Sequence, residues 1–149
     1  MTAAPQTQIR VLLADDSGVM LRAVSRLLNA HPQVSLVGAA GNFEEVVRLA
    51  DELHPQIIIL DLRMAQKAHG DALRLKAQQH GLLMLAITAS DILTDESVDL
   101  AAAIGADRLL DKMDLDERLI TTILDLAGAT KSPKVLARLV TQIRSLIAR

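Results

Sequence analysis

Short aliphatic runs separated by segments of helical spacing constrain this chain more than any other feature. The runs are Ile9 to Ala14, Val34 to Val37, Ile57 to Leu60, Leu83 to Thr88 and Arg108 to Leu110. Three of them, the first, third and fourth, are almost unbroken in Val, Ile, Leu and Ala. That composition suits strands covered by helices on both faces, whereas a strand with one wet face would alternate. The second run is short and interrupted by Ser35, so an edge position is expected. Between the runs, Met20, Leu21, Val24, Leu27 and Leu28 make one helical stripe, and Val46, Val47, Leu49, Ala50 and Leu53 make another. Further helices are predicted over Asp71–His80, Thr94–Ile104 and Asp114–Ala127. Asn42 with Glu45, and Asp114 with Glu117, have capping-box spacing, and Gly81 and Gly105 stand where helices should stop. Five βα repeats imply an α/β fold, a doubly wound parallel sheet.

In an open sheet of this kind, ligands bind outside the carboxyl ends of the strands. The residues at those ends carry chemistry. Asp15 and Asp16 follow the first run in VLLADDS, Asp61 ends the third in IIILDLRM, Thr88 closes the fourth in LAITAS, and Lys112 follows the fifth in LLDKMD. Three carboxylates at one edge repel each other unless a cation joins them. Their all-oxygen donor set favours Mg2+, which keeps several waters and binds phosphate oxygens. With charge drawn away, Asp61 can attack phosphorus and form an aspartyl phosphate, with Lys112 and Thr88 receiving its oxygens. Taken singly, each of these residues also reads as an ion pair, a helix cap or a strand-end hydroxyl. Five of them on the correct strands favour the site.

Composition narrows the alternatives. Phe43 is the single aromatic residue, so no platform exists for stacking bases, and the absence of cysteine removes disulfides, thiolate metal sites and cysteine nucleophiles. No apolar run approaches the ~20 residues of a membrane span, and the polar start MTAAPQTQIR lacks a signal-peptide pattern, so the cytoplasm is the expected location. No GxGxxG follows the first strand, which argues against a dinucleotide-binding oxidoreductase. A phosphatase of the dehalogenase type needs a second Asp two residues past the nucleophile, where this chain has Arg63. His31, His54, His69 and His80 lack ligand spacing and read as surface residues, while Met20, Met64, Met84 and Met113 read as packing residues.

Over residues 8–127 these motifs resemble the receiver domain of two-component response regulators. The resemblance rests on VLLADDS, LDLRM, the Thr88–Ala89 pair, and GAD at 105–107 followed by Lys112. The segment from Val37 to Met64 is most similar to receivers that precede helix-turn-helix output domains. The resemblance implies a flavodoxin-like five-stranded sheet of order 2-1-3-4-5. It also implies phosphorylation of Asp61 by a histidine kinase or phosphotransfer protein. Asp15, Asp16, Asp61 and the backbone carbonyl of Arg63 would hold Mg2+. Lys112 would pair with the phosphoryl group, and Thr88 would move inward to meet it. Such a module is not an enzyme in its own right and assists only its own phosphorylation and dephosphorylation. Leu109 stands where the family has Tyr or Phe, Met113 where it has a cis proline, and Ala65 where a loop proline is usual. Those departures make a contact-only, phosphorylation-independent module the alternative.

The remaining residues divide as 128–132, a short linker, and 133–149, an amphipathic C-terminal helix in which Leu136, Leu139, Ile143 and Leu146 form a seam. Residues 131–149 carry five basic and no acidic residues, against 11 basic and 18 acidic before them. Two heptads of this kind are marginal alone and need a partner surface, for which a homodimer contact is expected. No recognition helix follows within 149 residues, so direct DNA binding is not expected of this segment.

Overall fold

The computed structural model describes residues 8–89 and 95–129. Ser90, the expected start of a helix at Thr94, and the 133–149 segment lie outside the described residues. Five strands, β1 (Ile9–Ala14), β2 (Val34–Ala40), β3 (Ile57–Asp61), β4 (Leu83–Thr88) and β5 (Arg108–Asp111), form one parallel sheet in the order β2-β1-β3-β4-β5. β2 lies at an edge, as its broken run predicts.

Side-chain alternation divides the core. Leu12, Ile58, Leu60, Met84 and Ala86 face one way, towards α2 (Phe43–Leu53), α3 (Leu62–Lys67), α4 (His69–Gln78) and α5 (Asp95–Ala103). Val11, Leu13, Ile57, Ile59, Leu85 and Ile87 face the other way, towards α1 (Gly18–Asn29) and α6 (Leu115–Ala129). Both faces are dry, which is why the central runs need no polar residues.

Local signals set most boundaries. Ser17 caps α1 by accepting from the Met20 N–H at 3.3 Å. Asn42 caps α2 by accepting from the Glu45 N–H at 2.9 Å, and Glu45 returns a bond from the Gly41 N–H. Gly81 and Gly105 take positive φ, at 80° and 82°. His54 also ends α2 in the left-handed region at φ 47°, a position histidine tolerates better than most non-glycine residues.

Six expectations need correction. Helix begins directly after Asp61, because LRMAQK holds no proline or glycine and buries Leu62, Met64 and Ala65; it breaks at Ala68 and resumes as α4, ending at Gln78. The final described helix opens with a 3-10 turn, Lys112–Asp114, capped by Asp111 in place of the Asp114 box. It then runs through Gly128, whose exposed site tolerates helix, so helix continues where a break is predicted at 128. Val47 faces solvent, since α2 buries Val46 and Ala50. Met113 is 79% exposed, carried outward by the 3-10 turn, and His31 is half-buried.

At the opposite end of the strands from Asp61, Asp107 joins three elements. Its Oδ2 accepts from Lys76 Nζ of α4 and from the Met84 N–H of β4, both at 2.8 Å, while Lys76 also bonds the Gly105 carbonyl.

Candidate functional site

The strand order brings the chemistry together. β1 and β3 are neighbours, so Asp15, just past β1, and Asp61, the last residue of β3, end side by side. Carboxylate oxygens of Asp15, Asp16 and Asp61 lie within 4.8 Å of one another. Asp15 and Asp61 are buried, and Asp16 is exposed. Lys112 reaches across from beyond β5, its Nζ 2.7 Å from Asp15 Oδ2 and 3.4 Å from Asp61 Oδ1. Thr88, at the end of β4, lines the same cleft as Asp61.

Burial, first, and the neighbouring Asp15 charge, second, push the Asp61 carboxyl above the ordinary carboxylate range. Lys112 and the Arg63 backbone N–H pull the other way and do not win. Asp15 Oδ1 accepts from the Ser17 N–H at 2.9 Å. Its Oδ2 is buried with no hydrogen-bond partner, since the close Lys112 ammonium is not aligned for one. Three oxygen donors, one of them a buried and unsaturated acceptor, fit a hard divalent cation such as Mg2+.

Arg63 lies in the first turn of α3, with its backbone N–H hydrogen-bonded to the Asp61 carboxyl. Arg63 also lines a cleft of about 640 Å3, shared with Asp61, Leu62, Gln66, Thr88, Ala89, Glu96, Ser97 and Leu100. Glu96 and Ser97 were not legible as site residues, because only the crossing of α5 brings them there. Asp111 was missed too, although a buried carboxylate closing an aliphatic strand was a signal.

Residues 11–124 match the response regulator receiver domain family. The chain belongs to that family. Among curated proteins the receiver is 33% identical over 95 residues to the transcriptional regulatory protein YdfI of Bacillus subtilis, covering 62% of this chain and 45% of that one. It is 45% identical over 56 residues to protein-glutamate methylesterase/protein-glutamine glutaminase 2 of Methanospirillum hungatei, covering 38% and 16%. The receiver thus spans less than half the length of either relative. Among solved structures it superposes on the signal receiver domain of NarL from Mycobacterium tuberculosis with TM-score 0.72 and 26% identity, covering 82% of this chain and 98% of that one. The response regulator domain of Thermotoga maritima CheB gives 0.71 at 23% identity, covering 81% and 97%, a likeness of fold. Receiver domains of response regulators act in two-component signalling, take phosphate from histidine kinases and bind Mg2+ at an acidic pocket. No helix among the described residues is long and apolar enough to cross a membrane.

Proposed function

We propose that this receiver accepts a phosphoryl group on Asp61 from a histidine kinase or phosphotransfer protein and passes the change of state to an output. The observation that carries the reading is the buried Asp61 carboxylate set between two further carboxylates and the Lys112 ammonium. Asp61 attacks the phosphorus of a phosphohistidine. An oxygen–phosphorus bond forms, the nitrogen–phosphorus bond breaks, and the imidazole nitrogen keeps the electron pair. Asp15, Asp16 and Asp61 would hold Mg2+, which supplies charge neutralisation and an electrophilic contact for phosphate oxygens. Lys112, placed beside Asp61, balances the charge added there, and the Thr88 hydroxyl stands at the same cleft to meet a phosphoryl oxygen.

Residues 1–127 act as the receiver in this reading, and 133–149 form a contact between two copies. The alternative, a module that works by contact without phosphorylation, draws on Leu109, which lacks the phenol of the usual aromatic residue. One experiment separates the two. Wild type and Asp61→Asn are incubated with acetyl phosphate, with and without Mg2+, and intact masses are compared. One phosphoryl adduct is expected on wild type with Mg2+ and none on Asp61→Asn. No adduct on wild type, or an equal adduct on the variant, overturns the proposal.

A further inference from the structure

Lys112 must project its ammonium between Asp15 and Asp61 from a turn at the far side of β4, and something must hold that turn. Among the described residues no peptide bond is cis, so the Lys112–Met113 bond is trans and supplies no kink. Three residues, Lys112–Asp114, instead form a 3-10 turn directly on the end of β5. The turn leads directly into α6, but its own hydrogen bonds are few and of poor geometry, and nothing in that continuation fixes its start on β5.

Asp111 is the last residue of β5, extended at φ −75°, ψ 137°, and its Oδ1 accepts from the Met113 N–H at 2.9 Å. This is an Asx-type cap, in which a side chain satisfies a turn donor that backbone cannot reach. Asp111 is itself buried, paired in register with Thr88 on β4, so the cap is fixed to the rigid sheet. Met113, by contrast, is 79% exposed and packs on little, so its own side chain does not anchor the turn. The hydrogen bond to its N–H is the described anchor on the residue next to Lys112.

We infer that Asp111 is a positioning residue for the phosphoacceptor site: by capping the 3-10 turn through the Met113 N–H it aims the Lys112 ammonium at Asp15 and Asp61. It acts through its acceptor oxygen and touches none of the reacting atoms. The inference rests on the phosphoacceptor reading for its chemical meaning, but the placement of Lys112 is measurable without phosphorylation.

In the full chain, lysines are acetylated mildly, and Lys112 labelling is read by peptide mass spectrometry against the exposed Lys67 of α3. The Lys112 side chain is 13% exposed, so wild type should label it slowly. Asp111→Ala should raise the Lys112-to-Lys67 ratio about tenfold, in line with loss of a cap. Asp111→Asn, which keeps the Oδ1 acceptor without the charge, should stay within about twofold of wild type. Wild-type protection in Asp111→Ala, or its loss in Asp111→Asn, overturns the inference. Should Asp111→Ala fail to fold, Asp111→Leu, which fills the same space without an acceptor, takes its place with the same expected rise. Beryllofluoride affinity with Mg2+ should follow the same order. A wild type that binds none overturns the phosphoacceptor reading, while the labelling still decides what Asp111 does.

Discussion

Asp61 is the residue on which stability and chemistry oppose each other. Burial and the Asp15 charge raise its pKa, so the folded protein holds this proton more tightly than the unfolded chain does. The stabilisation is therefore present at low pH and is lost as pH rises through the ordinary carboxylate range and past the folded value. Asp61→Asn should melt a few degrees hotter than wild type at pH 7 without metal. The difference should close as the pH falls below the carboxylate range, and equal melting at both pH values would count against this account. Arg63 offers a second residue-scale test. Its exposed guanidinium lines the cleft over Asp61 and makes no ion pair with a described residue, so it stands near the path of an attacking water. Arg63→Ala should shorten the lifetime of the acyl phosphate by about fivefold, the scale of one exposed charge contact. An unchanged decay of the labelled protein removes that role.

At the level of elements, the packing of α2 on the sheet hinges on Gly38. A Cβ there would sit 3.0 Å from Leu53 Cδ1 and 3.2 Å from Leu12 Cδ1, inside the contact between helix and strand. The register of β1 with β2 also shifts between Val11 and Leu12, against this stretch of β2. Gly38→Ala should lower stability by about 1–2 kcal/mol, read as an earlier urea midpoint with an unchanged slope. A midpoint equal to wild type would mean that the leucines yield freely. β1, β3 and β4 were legible as nearly unbroken aliphatic runs, and β2 and β5 from their places in the alternation with helices. The caps at Ser17 and Asn42 followed from side chains a few residues away. Helix α3 was not legible from family habit, since a loop is usual where LRMAQK buries Leu62, Met64 and Ala65, and the replacement of its proline by Ala65 was read only as a departure.

For the whole molecule, charge and apolar surface are divided unevenly. Residues before 131 carry 18 acidic and 11 basic side chains, and the remaining segment carries five basic ones. In the described domain the exposed large apolar side chains are Val19, Val47 and Met113, which lie on separate elements. The proposed contact between copies is assigned to 133–149 for its apolar residues Leu136, Leu139, Ile143 and Leu146. Sedimentation should show the full chain as a dimer and a chain ended at Ala129 as a monomer that still takes the phosphoryl group. Equal sedimentation states for the two would remove the segment from the interface.

The amino acids alone determined which side chains would share an edge. Strand ends are set by short-range patterning, and a parallel sheet sends every carboxyl end the same way, so Asp15, Asp61, Thr88 and Lys112 had to gather. What depended on tertiary structure was how they are held. The half-buried His31 and the Glu96 side of the cleft arise where distant elements cross, whereas the cap from Asp111 is local, reaching two residues along the chain. Crossing positions come from the fit of whole faces, and no local spacing encodes them.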